Sequence, residues 1–202
     1  FDAVEEGSYL YINGGYLYLN AGGDGLDSNG SVVMTGGTAV VDGPTNNGNG
    51  PLDYNGTFDI SGGYLLAVGS SGMAQAPSES STQNSVLVNF DTVQAAGTLI
   101  NIQDSSGKSI VTYMPAKQFQ SIVFSGVEIK QGETYSVYLG GSSTGNKVDG
   151  WYQDGVYTPG ELNQTLTVSG VVTKVGQTTG GPGGGMGFGR GINDTTTIQN
   201  NT

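Results

Sequence analysis

The side chains able to do chemistry in this chain are acids, amides and aromatics, because its 202 residues include no cysteine and no histidine. Thiol nucleophiles, thiolate metal sites and a disulfide framework are therefore excluded. Asp27 and Asp53 stand 26 residues apart in matching contexts, Gly25-Leu26-Asp27-Ser28-Asn29-Gly30-Ser31 and Pro51-Leu52-Asp53-Tyr54-Asn55-Gly56-Thr57. If the two segments stack as neighbouring strands about 4.8 Å apart, equivalent residues form ladders. Asn29 over Asn55 makes an amide ladder. Asp27 over Asp53 brings two carboxylates together, so one is protonated or a cation sits between them. Asp24 and Asn47, in the adjoining turns, add oxygen donors. The candidate metal set is thus Asp24, Asp27, Asn29, Asn47 and Asp53. Hard oxygen donors without imidazole or thiolate favour Ca²⁺ over zinc or copper. The competing reading is that these residues only shape turns through local backbone bonds.

The aromatics form a second set. Tyr9, Tyr11, Tyr16 and Tyr18 alternate with Leu10, Ile12, Leu17 and Leu19, which in a strand sends the aliphatic residues inward and the tyrosines outward. Tyr64 falls in an equivalent segment. An outward tyrosine stripe is a platform for stacking sugars, or a packing face for another coil or subunit. Trp151, the single tryptophan, and Tyr152 lie on the polar loop Asp149–Tyr157. They suit sugar stacking or a protein contact, unless the loop folds back and buries Trp151.

The elements that must position these residues are short strands. The chain holds 37 glycines, and each interior glycine costs a helix roughly 1 kcal/mol relative to alanine. Three segments repeat: Ile12-Asn13-Gly14-Gly15-Tyr16-Leu17-Tyr18-Leu19, Met34-Thr35-Gly36-Gly37-Thr38-Ala39-Val40-Val41 and Ile60-Ser61-Gly62-Gly63-Tyr64-Leu65-Leu66-Ala67. Their Gly-Gly pairs are 22 and 26 residues apart, the size of one coil of a parallel β-helix. The expected organisation is coils over residues 1–83, an antiparallel sandwich or sheet over 84–175 capping the stack, and a Gly-rich tail over 176–202. The second part reads as strands Ser85–Phe90, Thr98–Gln103, Ser109–Met114, Ser121–Ser125, Thr134–Leu139 and Leu166–Val175. In the tail, the β-prone Thr195, Thr196, Thr197 and Ile198 are the expected subunit contact. A glycine-rich tail offers little apolar surface to offset its ordering, and a neighbour could accept it as a donor strand.

Charge narrows the partners. The net charge is −11, with eleven acids and no base before Lys108. Phosphate binding needs clustered cations, so nucleic acid is not an expected partner. No apolar run is long enough to span a bilayer, so no membrane insertion is expected. The leading Phe1 implies that a signal segment was removed, and the Gly/Asn/Ser/Thr-rich composition suits a secreted or cell-surface protein.

The Gly-Gly strands, Gly23-Asp24-Gly25-Leu26-Asp27-Ser28-Asn29-Gly30-Ser31, the run Gly43–Gly56 and Ala67-Val68-Gly69-Ser70-Ser71-Gly72-Met73-Ala74-Gln75 together resemble the carbohydrate-binding-domain β-helix family of microbial surface proteins. The resemblance covers roughly residues 10–175 and extends to the glycine-rich Gly180–Gly191. It implies an all-β chain with a short right-handed parallel β-helix, calcium, a likeness to polysaccharide lyases, and binding to acidic or cellulose-like polysaccharides. The family's repeated Asp-Asp-Gly turns are missing, with Asp24 the only trace. No catalysis is expected. A lyase needs a base to abstract the proton beside the sugar carboxylate, and the coil region has no Lys, Arg or His. The alternative is a structural subunit of an extracellular filament, a homopolymer joined head to tail through the tail and an exposed β edge.

Overall fold

The computed structural model describes residues 3–177. The first part contains β1 (Tyr9–Asn20), β2 (Leu26–Ser28), β3 (Ser31–Asp42), β4 (Leu52–Tyr54), β5 (Phe58–Ile60) and β6 (Tyr64–Gly69). The second contains β7 (Ser85–Gln94), β8 (Ile100–Asp104), β9 (Ser109–Tyr113), β10 (Phe119–Ser125) and β11 (Thr134–Leu139). Then follow β12 (Ser142–Ser143), β13 (Asn146–Val148), β14 (Trp151–Gln153), β15 (Tyr157–Thr158), β16 (Glu161–Thr167) and β17 (Val172–Val175). The described chain is all-β, built from mixed and antiparallel sheets.

The repeat read from the glycines is the register of the parallel strands. β1 pairs β3 with Tyr16 opposite Thr38, and β3 pairs β6 with Thr38 opposite Tyr64. β2 pairs β4 with Asp27 opposite Asp53, and β5 lies on β3 with Ile60 opposite Met34. Each Gly-Gly corner turns at positive φ, +86° at Gly37 and +87° at Gly63, a region where a side chain meets the following carbonyl. The corners also nest. A Cβ at Gly37 would come within 2.7 Å of the Gly14 carbonyl carbon, and one at Gly63 within 2.5 Å of the Gly37 oxygen.

A shared sheet joins the two parts, with strand order β1-β3-β6-β10-β7-β17 and β5 alongside β3. β10 runs antiparallel to β6 and continues the stack sideways. The facing sheet has the order β13-β14-β9-β8-β11-β16. One core fills the coils, around Met34, Leu52, Phe58, Ile60 and Leu65. The other lies between the two sheets and takes Val40, Leu66 and Val68 from coil strands together with Phe90, Ile122, Phe124 and Tyr113. Both faces are therefore buried over 39–42 of β3 and 65–69 of β6, and these stretches read as apolar runs rather than alternating ones.

Two expectations change. Of the four residues expected inward on β1, only Ile12 is buried. Leu10 is 36% exposed, and Leu17 and Leu19 are half-buried. Their counterparts Val32, Met34, Ala39 and Val41 are fully buried, because β1 is the sheet edge and no strand among the described residues covers its far side. The strand expected over Leu166–Val175 is two strands. β16 pairs β11 in the facing sheet, and after Ser169-Gly170 β17 pairs β7 in the shared sheet. The expected contact residues Thr195, Thr196, Thr197 and Ile198 lie outside the described residues.

Candidate functional site

The parallel register places Tyr16, Thr38 and Tyr64 on successive rungs of one outward face. Two strand spacings put the tyrosines about 10 Å apart. Opposite this ladder stands the β13–β14 hairpin. Its turn is Asp149-Gly150, with φ of 46° and 84°. Two consecutive positive-φ residues make the two-residue turn that suits the twist of paired strands, and Asp-Gly is a preferred sequence for it. A second Asp-Gly pair, Asp154-Gly155, repeats the conformation at the other end of β14, with φ of 59° and 77°. Trp151 and Tyr152 are thus held between two fixed turns instead of on an open loop.

Ladder and hairpin enclose an open groove of about 620 Å³, lined by Tyr16, Thr38 and Tyr64 on one wall and by Trp151, Tyr152 and Gln153 of β14. That volume lies within the range of small-ligand clefts. Trp151 is half-buried. Its ring meets Tyr64 edge-on with centroids 6.0 Å apart, and Phe124 at 6.3 Å. The loop does fold back, but it leaves part of the indole at the groove. Tyr64 donates to Glu128 Oε1 at 3.0 Å. Burial first, then that carboxylate, raises the Tyr64 hydroxyl. Burial and the adjacent Asp149 carboxylate push Tyr16 up to about 12. Both tyrosine hydroxyls are therefore neutral and turned towards acids.

The other expected sugar-stacking residues part company with the groove. Tyr9 and Tyr11 are exposed and stack on each other at 5.6 Å near the start of β1. Tyr18 faces outward but is covered by the second sheet, and its hydroxyl donates to Asp42 at 2.9 Å. Burial and this bond push Tyr18 up to about 12. Asp42, 1% exposed, also accepts from the Ala116 backbone N–H at 3.3 Å, and Lys117 reaches back to the Ala21 carbonyl. That cluster pins the coils to the second part. Glu128 and Lys108 also line the groove, and no local sequence pattern marks either. Thr38 was legible as the middle rung of the repeat.

The expected metal residues are only partly assembled. Asp27 and Asp53 occupy adjacent rungs. Burial, then the charges of Asp24 and Asp27, raises the Asp53 carboxyl. Asp24 Oδ1 is already engaged by the Gly50 backbone N–H at 2.7 Å. Asn29 is exposed on the adjoining turn, where its backbone carbonyl accepts from Glu5 at 3.0 Å. Asn47 packs against Gly72 and lines a separate small depression with Thr45 and Ser70. Among the described residues no three acids converge to hold a metal ion. No helix among them is long and apolar enough to cross a membrane.

No protein-family model, curated protein or solved structure matches the chain.

Proposed function

We propose that the chain is a non-catalytic polysaccharide-binding protein of the cell surface or extracellular space, built on a short right-handed parallel β-helix. The observation that carries the reading is the convergence of Tyr16, Tyr64, Trp151 and Tyr152, from strands far apart in sequence, on one open groove. Sugar rings present C–H faces that stack on such aromatics, and the polar rim supplies hydrogen bonds for orientation. The resemblance of the repeat strings to the carbohydrate-binding β-helix family supports the same assignment. Catalysis is not part of it. Tyr64 engages one oxygen of Glu128, and among the described residues Lys108 is the only Lys, Arg or His lining the groove. The test is titration of a glycan panel against wild type and Trp151→Ala. At least one oligosaccharide binds wild type and is weakened about tenfold or more by the substitution, a stacking loss of ~1.4 kcal/mol or more. A panel in which nothing binds removes the reading.

Calcium enters as a supporting cation between the rungs of Asp27 and Asp53. The donor set is oxygen-only, and the argument for it is the repulsion and burial that raise Asp53, not a formed cage. Calcium raising the melting temperature of wild type but not of Asp53→Asn supports this role. Equal response in both removes it.

A second reading is favoured by the open β1 edge. The Gly36-Gly37 and Gly62-Gly63 corners are filled by the backbone of the preceding coil, while a Cβ at Gly14 or Gly15 would meet nothing within 4 Å. In this reading the chain is also a filament subunit, and the Thr195–Ile198 segment of one copy is the donor strand added to β1 of the next. Deleting residues 176–202 would abolish polymers. Unchanged polymers would exclude the tail as the joint.

A further inference from the structure

Among the ionisable side chains lining the groove are one cation, Lys108, and two carboxylates, Glu128 and Asp154. A third carboxylate, Asp149, sits beside the Tyr16 hydroxyl. Two acids against one base in the lining, or three against two with the flanking Asp149 and Lys147, leave the site negative by one charge, and the chain's net charge of −11 reinforces that potential from outside. The walls add to it. Tyr16, Tyr64, Trp151 and Tyr152 carry electron-rich ring faces, which attract cations within about 6 Å. Lys147, which is not among the lining residues, already sits 6.0 Å from the Tyr152 ring centroid. Glu128 supplies an independent observation. One oxygen is held by Tyr64, and Oε2 is buried without a hydrogen-bond partner. Glu128 as a whole is half-buried, and a carboxylate with one unpartnered oxygen is stabilised by positive charge brought close to it.

From this convergence of aromatic faces and an excess of carboxylates in one groove, we infer that its ligand is a polysaccharide bearing free, protonated amines, such as a de-N-acetylated hexosamine chain. The inference rests on the groove being a glycan site and specifies the class of glycan. A polyuronate would bring more carboxylates into a negative cleft and bind poorly. A neutral chain would stack but leave the charge unused. A protonated amine uses both, with the sugar face on an aromatic ring and the ammonium among Glu128, Asp149 and Asp154. Asp149 and Asp154 are well placed to be tested. Both hold positive φ, which Asn also tolerates, so Asp→Asn removes charge while keeping the turns.

The experiment is isothermal titration at low ionic strength with four hexamers: glucosamine, N-acetylglucosamine, glucose in β-1,4 linkage, and galacturonate. Below the amine's own pKa the glucosamine hexamer binds about tenfold tighter than the N-acetylated one, and the gap closes when the amine is deprotonated. Asp149→Asn/Asp154→Asn narrows the gap, as does Glu128→Gln, whose amide oxygen still accepts from Tyr64. Trp151→Ala and Tyr16→Ser weaken the binding itself. If the neutral or N-acetylated hexamers bind as tightly as glucosamine, the amine inference is overturned and the glycan reading stands. If glucosamine binds but ignores both Trp151→Ala and Tyr16→Ser, the amine is only a counter-ion for the acidic surface, and the inference is again overturned. If none of the four binds, the glycan reading itself has failed.

Discussion

Replacing Gly15 and Gly37 separately by alanine separates backbone strain from coil stacking. The two glycines occupy equivalent corners with nearly equal φ, +79° and +86°. A left-handed alanine costs ~1–2 kcal/mol at either position. Their surroundings differ. An added Cβ at Gly15 meets nothing within 4 Å, whereas one at Gly37 falls 2.7 Å from the Gly14 carbonyl carbon and 2.8 Å from the oxygens of Gly14 and Gly15. Those are backbone atoms, so relief requires moving one coil off another, and overpacking of that kind adds ~1–3 kcal/mol. Gly15→Ala should therefore cost ~1–2 kcal/mol and Gly37→Ala ~2–5 kcal/mol. For a domain of this size, that means roughly 2–8 °C against 4–20 °C of melting temperature. Thermal and urea unfolding, followed by circular dichroism, read both. Equal small losses would refute the nested corners. Equal large losses would show that another strand covers the Gly14-Gly15 corner in solution, as the filament reading requires.

Asp53→Asn raises stability at neutral pH. The Asp53 carboxyl is raised in the folded state by burial and by Asp24 and Asp27, so ionising it destabilises the fold. The stability tied to its protonated form is complete below the unfolded carboxylate range and lost as pH rises through the folded value. The gain from Asn should thus vanish on acidification, and a pH-independent gain would contradict this cause. Phe58→Ala empties a fully buried position in the coil core and should cost ~3–5 kcal/mol in denaturant unfolding. A loss under 1 kcal/mol would mean that the coil core is loosely packed. In an alkaline titration of tyrosinate absorbance, Tyr16 and Tyr18 ionise near pH 12. Asp149→Asn should lower the Tyr16 step most and the Tyr18 step only slightly, because Asp149 bonds Tyr16 and acts on Tyr18 by charge alone, and an unchanged titration would place Asp149 away from Tyr16.

The parallel register was legible because a Gly-Gly corner can sit on another only if coils repeat, and the spacings of 22 and 26 are the pairings of β3 with its two neighbours. Inward and outward positions were legible only where both sides of a strand had the expected neighbours. Leu10 lies at an edge that alternation cannot reveal, and Tyr18 is covered by a sheet built from residues beyond position 84. For the same reason the groove was legible in its parts and not as a whole. Tyr16 and Tyr64 were singled out by the repeat and Trp151 by its setting. Their meeting depends on β10 adding to β6 and on the second sheet folding over it, and no local pattern encodes that long-range order. Glu128 had no local signal either, since its role follows from its contact with Tyr64. The acidic ladder was placed correctly at Asp27 and Asp53, whereas Asn47 was drawn away by its packing on Gly72.

Trp151 is the only tryptophan and it lines the groove, so its emission reports directly on the site. Titrating the panel of hexamers while following that emission tests the central claim in one measurement. A saturable change for at least one oligosaccharide, abolished by Tyr16→Ser, is the predicted result. An oligosaccharide that binds by calorimetry yet leaves Trp151 emission untouched would place the site elsewhere and contradict the account.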